Sequence, residues 1–324
     1  MKTLASLFGT AALACTVMFA PAAGAQPAGQ PIRIVVPFAP GGAQDGLGRY
    51  LANKLAARIG SPVVVENKTG ASGVVAADVV AKAAPDGTTL LLATGGAITI
   101  APHLNPKLPY NARKDFVPVA LIADTPMTLS VRAQSPYQTI ADVLRDAKAN
   151  PGKVSYGSSG NGSISHLTGE LLAQAAGVQL IHVGYRGGSP ALVDLLSGQI
   201  SMIVTSSASI EPLEQDKKAR VLATFTRDSL PNFQGVPTVT QSTGLKGLEV
   251  PVWIGILAPA RTPAATVDKL AAEFTAVCQL PETQERFKSL GALAMCGGAR
   301  ELEKVVSDDD QRWARVIKQG NIKE

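Results

Sequence analysis

The sequence is poor in the features that mark several common protein classes. Aromatic residues make up only 5% of its 324 residues, charged residues 17%, and there are three cysteines. Beyond the N-terminus, no apolar run approaches the roughly 18 residues that span a bilayer. The 30 basic residues are scattered along the chain. These absences argue against a membrane-embedded body and against nucleic acid as a partner.

Motifs for catalysis and metal binding are also missing. The histidines His103, His166 and His182 stand far apart, without the HExxH or CxxC spacing of a zinc site. There is no GxSxG elbow and no P-loop lysine. Residues 160–162 begin like a dinucleotide fingerprint, but Ser165 stands where the third glycine belongs. We therefore predict no metal and no cofactor.

The N-terminus has the pattern of an export signal. Lys2 precedes an apolar stretch from Leu4 to Phe19, and the small residues 23–25 fit the cleavage rule. We predict a signal peptide over residues 1–25 and a mature protein in the periplasm. A retained anchor is the alternative, and Cys15 leaves a lipoprotein open, although the residues before it depart from a lipobox.

Two cysteines, Cys278 and Cys296, remain after the predicted cleavage. An exported chain meets an oxidising compartment, where two thiols can form a disulfide. We expect this disulfide; two buried free thiols are the alternative.

Apolar, β-branched runs alternate with segments of helical spacing. Residues 31–37, 62–67 and 89–93 are predicted strands with helices between them. This order indicates a parallel sheet with right-handed crossovers. Two consecutive strands, at 116–123 and 127–131, then break the alternation and indicate a crossing into a second domain.

The second domain repeats the strand–helix alternation, and a late strand at 252–257 with three helices returns the chain to the first domain. We predict an α/β fold of two doubly wound lobes with a central cleft and two crossing strands. Lobe 1 comprises residues 26–126 plus 251–324, and lobe 2 comprises residues 127–250. Within the last helix, the run 308–310 has the pattern of a solvated or capping acidic segment.

Four small-residue loops follow predicted strands and open helices: 38–45, 94–97, 158–163 and 185–189. In parallel α/β sheets, ligands lie beyond the C-terminal ends of the strands. Glycine lets backbone N–H groups approach a ligand, and a helix N-terminus favours negative charge. Any one loop is equally an ordinary turn, but four loops in two lobes favour a shared site for a carboxylate. The few aromatic residues favour a small acid over a sugar.

Two charged residues in these loops have alternative roles. Asp45 either caps the first helix or contacts a ligand amine or a bridging water, and capping is favoured. Arg186 either pairs with a carboxylate in a bidentate manner or covers the surface.

Several of these segments, taken in order, give the chain a family resemblance. They are Pro31 to Gly42 with Asp45 and Arg49, Val64 to Lys68, Ala84 to Gly87, Leu108 to Tyr110, Lys114 to Phe116, Tyr156 to Ser158, His166-Leu167, His182-Val183, Tyr185 to Gly187, and Trp253 with Gly255. The chain resembles the tripartite tricarboxylate transporter receptor (Bug-type) family over essentially its whole mature length.

The resemblance implies a type II periplasmic-binding-protein fold that closes over a small carboxylate. The ligand-binding residues it implies in lobe 1 are Phe38, Ala39, Gly41, Gly42, Asp45, Thr94, Gly95, Gly96 and Ala97. In lobe 2 they are Ser158, Ser159, Asn161, Tyr185, Arg186, Thr205 and Ser206. The sequence departs from the family at Gly184, where proline is usual, and at 204–207, which often carries phenylalanine and aspartate.

We therefore expect a monomeric periplasmic receptor that delivers a small organic acid to cognate membrane transporter subunits, with no catalytic residues. Two alternatives stay open. One is a periplasmic enzyme acting on small acids, for which His166, Asp45 and Ser158 are the candidate groups. The other is a sensory module that presents its bound ligand to a signalling partner.

Overall fold

The computed structural model describes residues 30–41 and 43–323. The predicted signal peptide, Cys15 and Gly42 lie outside these residues. Within them, no helix is both long enough and apolar enough to cross a membrane.

The first half of lobe 1 alternates strands with helices. In order its elements are β1 (Ile32–Val36), α1 (Ala43–Ile59), β2 (Val63–Asn67), α2 (Val74–Ala81), β3 (Thr89–Ala93), α3 (Ala101–Leu104) and β4 (Phe116–Asp124). A 3-10 turn at Ala71–Gly73 precedes α2, and a π-helical turn at Gly96–Ile100 precedes α3. β1 pairs in parallel with both β2 and β3, as the strand–helix alternation predicts.

The chain then forms lobe 2 and returns to lobe 1. Lobe 2 contains β5 (Met127–Arg132), α4 (Ile140–Ala149), β6 (Ser155–Ser158), α5 (Ile164–Ala176), β7 (Ile181–Gly184), α6 (Gly188–Ser197), β8 (Met202–Ser206), α7 (Ser207–Gln215), β9 (Ala219–Thr224) and α8 (Val239–Thr243). The return adds β10 (Trp253–Pro259), α9 (Ala264–Cys278), α10 (Pro281–Ser289), β11 (Leu293–Gly297) and α11 (Ala299–Gly320).

Two separate sheets result, which confirms the predicted α/β fold of two lobes. The lobe 1 sheet has six strands in the order β11-β4-β10-β3-β1-β2, and the lobe 2 sheet has five in the order β7-β6-β8-β5-β9. In each sheet the strands flanking a crossing are antiparallel to their neighbours: β10 to β3 and β4, and β5 to β8 and β9.

Helices cover both faces of the lobe 1 sheet, and its inner strands β1 and β3 are therefore largely apolar. Ile32, Ile34 and Val36 of β1 lie in one buried cluster, together with helices α1 and α9. Val35 lies in the cluster on the opposite face, with α2. Successive strand residues point to opposite faces, and this alternation explains why a strand with four apolar residues out of five lies inside the sheet.

Helix α11 joins the two cores. Leu302 near its beginning is buried in lobe 1, whereas Trp313 and Val316 near its end are buried in the main lobe 2 cluster. The sequence analysis assigns the whole helix to lobe 1. In the structure its second half packs on lobe 2. The lobe boundaries themselves stay a prediction.

The two crossings are bonded to each other. The backbone N–H of Thr125 donates to the carbonyl of Val252 at 3.0 Å, and the Thr125 hydroxyl donates to the same oxygen at 3.2 Å. The Val252 N–H in turn donates to Asp124 Oδ1 at 2.7 Å. The two crossings therefore meet at one joint between the lobes.

Candidate functional site

A cleft of about 370 Å³ lies between the lobes beside this joint. Lobe 1 contributes loops after β1, β2 and β3, and lobe 2 contributes loops after β6, β7 and β8. Six of the predicted residues line it: Phe38, Thr94, Gly96, Ser159, Thr205 and Ser206. The strands therefore end at a shared cleft, as the topology of parallel sheets requires.

The lining carries hydroxyl groups and no ionisable side chain among the described residues. The hydroxyl-bearing residues are Ser72, Thr94, Thr125, Ser159, Ser163, Ser165, Thr205, Ser206 and Ser209. The only other polar side chain in the lining is the Gln44 amide. Such a surface donates hydrogen bonds to an anion without adding a cation, and it offers no carboxylate to a ligand ammonium group.

Three helices of lobe 2 begin at the cleft. Helix α5 begins beside Ser163 and Ser165, α6 begins at Gly188, and α7 begins beside Ser206. The first N–H groups of a helix have no intrahelical partner, and the helix dipole places about half a positive charge there. Their convergence favours a negatively charged guest.

The loop after β2 is a part of the lining that sequence reasoning missed. Residues Gly70 to Gly73 all line the cleft, and their φ values are 133°, 45°, 53° and 99°. The left-handed backbone conformation is energetically costly for Ala71 and Ser72. The spacing of glycines in the sequence does not predict it at these two positions. The sequence feature that could have identified this loop is its run of small residues after a predicted strand, as in the other four loops. Gly188, Ser163 and Ser165 lie within or beside the predicted loops but were not singled out as ligand contacts.

Asp45 stabilises the first loop, residues 38–45, from the side that faces away from the cleft. Its side chain is 2% exposed and is not part of the lining. Asp45 Oδ2 accepts from the Gly41 N–H at 2.9 Å and from Arg49 Nε at 3.0 Å. Asn67 Nδ2 donates to Asp45 Oδ1 at 2.7 Å and to the Phe38 carbonyl at 2.9 Å. Asp45 thus orders the loop that carries Phe38. Ala39 and Gly41 lie outside the lining as well.

The pKa of Asp45 reflects this network. Burial alone would raise the pKa of the carboxyl group, but hydrogen bonds from Arg49, Asn67 and Gly41 outweigh it and hold the pKa below its ordinary value. The carboxylate is therefore ionised and its oxygens are occupied by protein donors. Asp45 therefore stabilises the loop itself, and a contact of its side chain with the ligand or a bridging water stays a prediction.

The second loop is anchored by a buried aspartate. Thr94 and Gly96 line the cleft, whereas Gly95 and Ala97 do not. The Thr99 hydroxyl lies 3.0 Å from the Gly95 carbonyl and 2.6 Å from Asp309 Oδ2. Tyr110 donates to the Ala97 carbonyl at 2.7 Å.

Asp309 and Asp310 correct the expectation of a solvated acidic run at 308–310. Asp309 is 2% exposed and also accepts from Trp253 Nε1 at 3.0 Å, and burial raises the pKa of its carboxyl group. Asp310 is largely buried and pairs with His103 and Arg113. Only the long-range packing of α11 against these groups, which sequence spacing does not show, determines their environment.

The third loop divides between cleft and interior. Ser159 lines the cleft, but Ser158 is fully buried and its Oγ lies 2.6 Å from His182 Nε2. Asn161 is exposed, and its amide donates to the Lys323 carbonyl at 2.9 Å. Ser158 and Asn161 are therefore not brought into the lining.

The fourth loop presents backbone rather than its two large side chains. The Tyr185 hydroxyl donates to Asp194 Oδ2 at 2.7 Å, and burial followed by this bond raises the pKa of Tyr185 to about 12. Arg186 is exposed and forms no ion pair with any residue the structure describes. Gly188, two residues later, is the member of this loop that reaches the cleft.

Two further features bear on the predicted chemistry. Cys278 and Cys296 form a disulfide that joins α9 to β11, with Cα atoms 5.2 Å apart. In the described part of the chain, no group of three or more His, Cys, Asp or Glu residues is placed to hold a metal ion.

Two α/β lobes with helix N-termini facing a common cleft are the architecture of periplasmic solute-binding proteins. The family model described as "Tripartite tricarboxylate transporter family receptor" matches residues 47–322. The chain belongs to this family, whose members are periplasmic solute-binding receptors. The resemblance inferred from the sequence is thereby confirmed.

Individual relatives agree with this assignment. A protein encoded in the tcbD–tcbE intergenic region of Pseudomonas sp. strain P51 is 39% identical over 288 residues, which cover 89% of this chain and 85% of that protein. The solved structure of the periplasmic binding protein BugD is 35% identical with a TM-score of 0.77, covering 90% of this chain and 98% of its own. The R. palustris protein Rpa4515, solved with adipate, is 32% identical with a TM-score of 0.80, covering 92% and 99%.

Proposed function

We propose that this chain captures a small organic acid in the cleft between its lobes and delivers it to the membrane subunits of a tripartite transporter. The observation that carries the proposal is the cleft lining, in which three helix N-termini and nine hydroxyl-bearing residues converge, with no charged side chain among the lining residues that the structure describes. Charge-assisted hydrogen bonds from such donors to a carboxylate are strong in a closed, desolvated site. The adipate bound to Rpa4515 supports the same ligand class.

We propose that the contacts to the acid come from Phe38, Thr94, Gly96, Ser159, Thr205 and Ser206, together with the missed loop at 70–73 and the backbone at Gly188. Micromolar affinity requires about −8 kcal/mol, which a few charge-assisted bonds can supply. Closure would rotate residues 127–250, together with the end of α11 that is buried against them, relative to the rest of lobe 1 about the joint at Thr125 and Val252.

A thermal-shift screen tests the proposal. The panel contains mono- and dicarboxylates, aromatic acids and amino acids, each compared with the amide in which a neutral carboxamide replaces the carboxylate. A ligand at 100 times its Kd stabilises the folded state by about 2.7 kcal/mol, so a binding acid raises Tm clearly. We expect one or more acids to do so while their amides do not. A panel without any shift, or equal shifts for acids and amides, contradicts the proposal.

The enzyme alternative receives no comparable support. Its three candidate groups, Asp45, Ser158 and His166, are buried and bonded to protein atoms. None of them lines the cleft. Incubating the protein with a binding acid and recovering that acid unchanged is the expected outcome, and a new product would favour the enzyme.

We also propose that residues 1–25 are removed on export, that the mature chain acts in the periplasm, and that it is a monomer. The mass of the protein isolated from periplasm, and its mass in solution by light scattering, test these statements. A retained N-terminus or a lipid modification at Cys15 would contradict the first.

Measuring both uptake of the acid and gene induction in a deletion strain separates transport from a sensory role.

A further inference from the structure

Two histidine rings lie stacked behind the cleft loop that joins β6 to α5. The ring centroids of His166 and His182 are 3.7 Å apart, and the ring planes differ by only 12°. His166 lies in the first turn of α5 and is 5% exposed, while His182 lies on β7. Neither ring lines the cleft, and the proposed binding function does not account for them.

Each ring holds one residue of the loop. The Gly162 backbone N–H donates to His166 Nδ1 at 3.0 Å, so this nitrogen carries no proton. His182 Nε2 lies 2.6 Å from the Ser158 hydroxyl. The pair therefore contacts the loop both at its beginning, on β6, and just before α5.

The segment between these two contacts faces the cleft and has little conformational preference of its own. Gly160 and Gly162 have φ values of 133° and 68°, which glycine adopts without a steric penalty. Glycine also adopts many other conformations, so the sequence of this segment does not fix its shape. Ser159, Ser163 and Ser165 line the cleft and are bonded to one another; the Ser159 N–H, for example, donates to Ser165 Oγ at 2.9 Å. Contacts from outside the segment add to these bonds: the Gly187 N–H donates to the Ser159 carbonyl at 3.2 Å, and the two histidines bond to Ser158 and Gly162.

We propose that His166 and His182 are positioning residues for the ligand site. As neutral stacked rings they hold residues 158–165 so that the Ser159, Ser163 and Ser165 groups face the bound acid. The expected effect on ligand affinity rests on the proposed function, but the positioning of residues 158–165 can be measured without any ligand.

The chemistry of the rings suits this role. Burial lowers the pKa of both histidines to about 4, and the neighbouring His182 contributes further to the shift at His166. Both rings are therefore neutral near pH 7, and His166 Nδ1 keeps the lone pair that the Gly162 N–H requires. An apolar side chain in its place would leave a buried N–H without an acceptor, which is costlier than losing an exposed hydrogen bond.

The test compares His166→Leu with His166→Asn, because the asparagine carbonyl oxygen can occupy the place of Nδ1. Backbone hydrogen exchange of residues 158–165 is followed together with that of β4 and β10. We expect exchange in the loop to rise at least about tenfold in His166→Leu, to stay near the wild-type rate in His166→Asn, and to be unchanged in the two strands. Wild-type exchange in His166→Leu, or equal defects in both variants, overturns the inference.

The second measurement is titration with adipate and with the best acid of the screen. His166→Leu should bind at least about tenfold more weakly than the wild type, with His166→Asn restoring most of the affinity. If the wild type binds no acid, the proposed function fails, while the exchange result still decides the positioning role. If His166→Leu does not fold, His182→Leu and His182→Gln provide the same comparison, because the glutamine amide can replace Nε2.

Discussion

Gly291, between α10 and β11 of lobe 1, lies directly against Ala208 in the first turn of α7 of lobe 2. A β-carbon built on Gly291 would overlap the Ala208 β-carbon and lie 2.8 Å from its Cα. The two lobes approach this closely only because residue 291 has no side chain, and its φ of 69° also favours glycine.

Replacing Gly291 with alanine should therefore wedge the lobes apart and weaken binding of the acid. Overpacking of this kind costs about 1–3 kcal/mol, which corresponds to a loss of affinity of roughly 5- to 150-fold. Titration measures the affinity, and small-angle scattering should show a larger radius of gyration for the ligand-saturated variant.

The control is Gly152→Ala. Gly152 has a nearly identical φ of 72°, but a β-carbon at this position would have no neighbouring atom within 4 Å. The Gly152→Ala variant therefore has the same backbone strain as Gly291→Ala but no contact between the lobes. Equal affinity for Gly291→Ala and Gly152→Ala would show that the Ala208 contact does not limit closure.

Replacing Asp45 with alanine should destabilise the first cleft loop, because the Gly41 N–H and Arg49 lose their acceptor. We expect a loss of about 1–3 kcal/mol in the free energy of unfolding at pH 7, measured with urea. Since the folded-state pKa of Asp45 is lowered, its contribution is present above the unfolded value of 3.8 and is lost as the pH falls through the folded value. A difference that persists unchanged at pH 2 would contradict this account.

Asp124 has the opposite pH dependence. Burial, with a smaller effect from Asp309, raises the pKa of Asp124 to about 6. A raised carboxyl pKa gives stability that is present below the unfolded value and lost as the pH rises through 6. Asp124→Asn keeps an acceptor for the Val252 N–H without the charge.

At pH 8 this variant should be more stable than the wild type, by up to about 3 kcal/mol. The advantage should disappear near pH 4, where the wild-type carboxyl is protonated. Urea unfolding at both values measures the difference, and a variant less stable than the wild type at pH 8 would show that the charge itself supports the joint.

The disulfide between Cys278 and Cys296 closes a loop with a sequence separation of 18 residues. Constraining a loop of this length in the unfolded chain contributes about 3 kcal/mol in the chain-entropy treatment. The double variant Cys278→Ala/Cys296→Ala should lose about that much stability but keep its affinity for the acid, because neither residue lines the cleft. Loss of binding in the folded variant would argue that β11 influences the site.

Local sequence patterns were sufficient for most of the strands and for the position of the cleft. The apolar run at β1 and the small residues after β1, β3, β6 and β7 predict elements that the structure contains. Strand β11 was missed, because its alternation is weak and it is an edge strand defined by pairing with β4. The pairing partner is 169 residues or more away along the chain, so no local pattern reveals it.

The site was only partly predictable for a related physical reason. A small-residue loop after a strand predicts that backbone reaches the cleft, but not which side chains turn inward. Ser158 and Tyr185 turn away because they find hydrogen-bond partners, His182 and Asp194, on neighbouring elements. Asp309 is buried by the packing of α11, and such long-range environments follow from the fold rather than from local spacing.

Gly188 offers the most direct test of the central claim that an uncharged cleft of helix N-termini binds a carboxylate. It is the first residue of α6, lines the cleft, and a β-carbon there would meet only Thr205 Oγ1, at 4.0 Å. A β-carbon therefore has room at this position, and we expect the rest of a leucine side chain to extend into the cleft and exclude the acid. Ser189→Leu, one residue further on and exposed, is the matched control.

The measurement is isothermal titration of the wild type and both variants with the acid that gives the largest thermal shift. The account predicts micromolar binding by the wild type and by Ser189→Leu, and loss of binding by Gly188→Leu with its Tm unchanged. Undiminished binding of the acid by Gly188→Leu would contradict it.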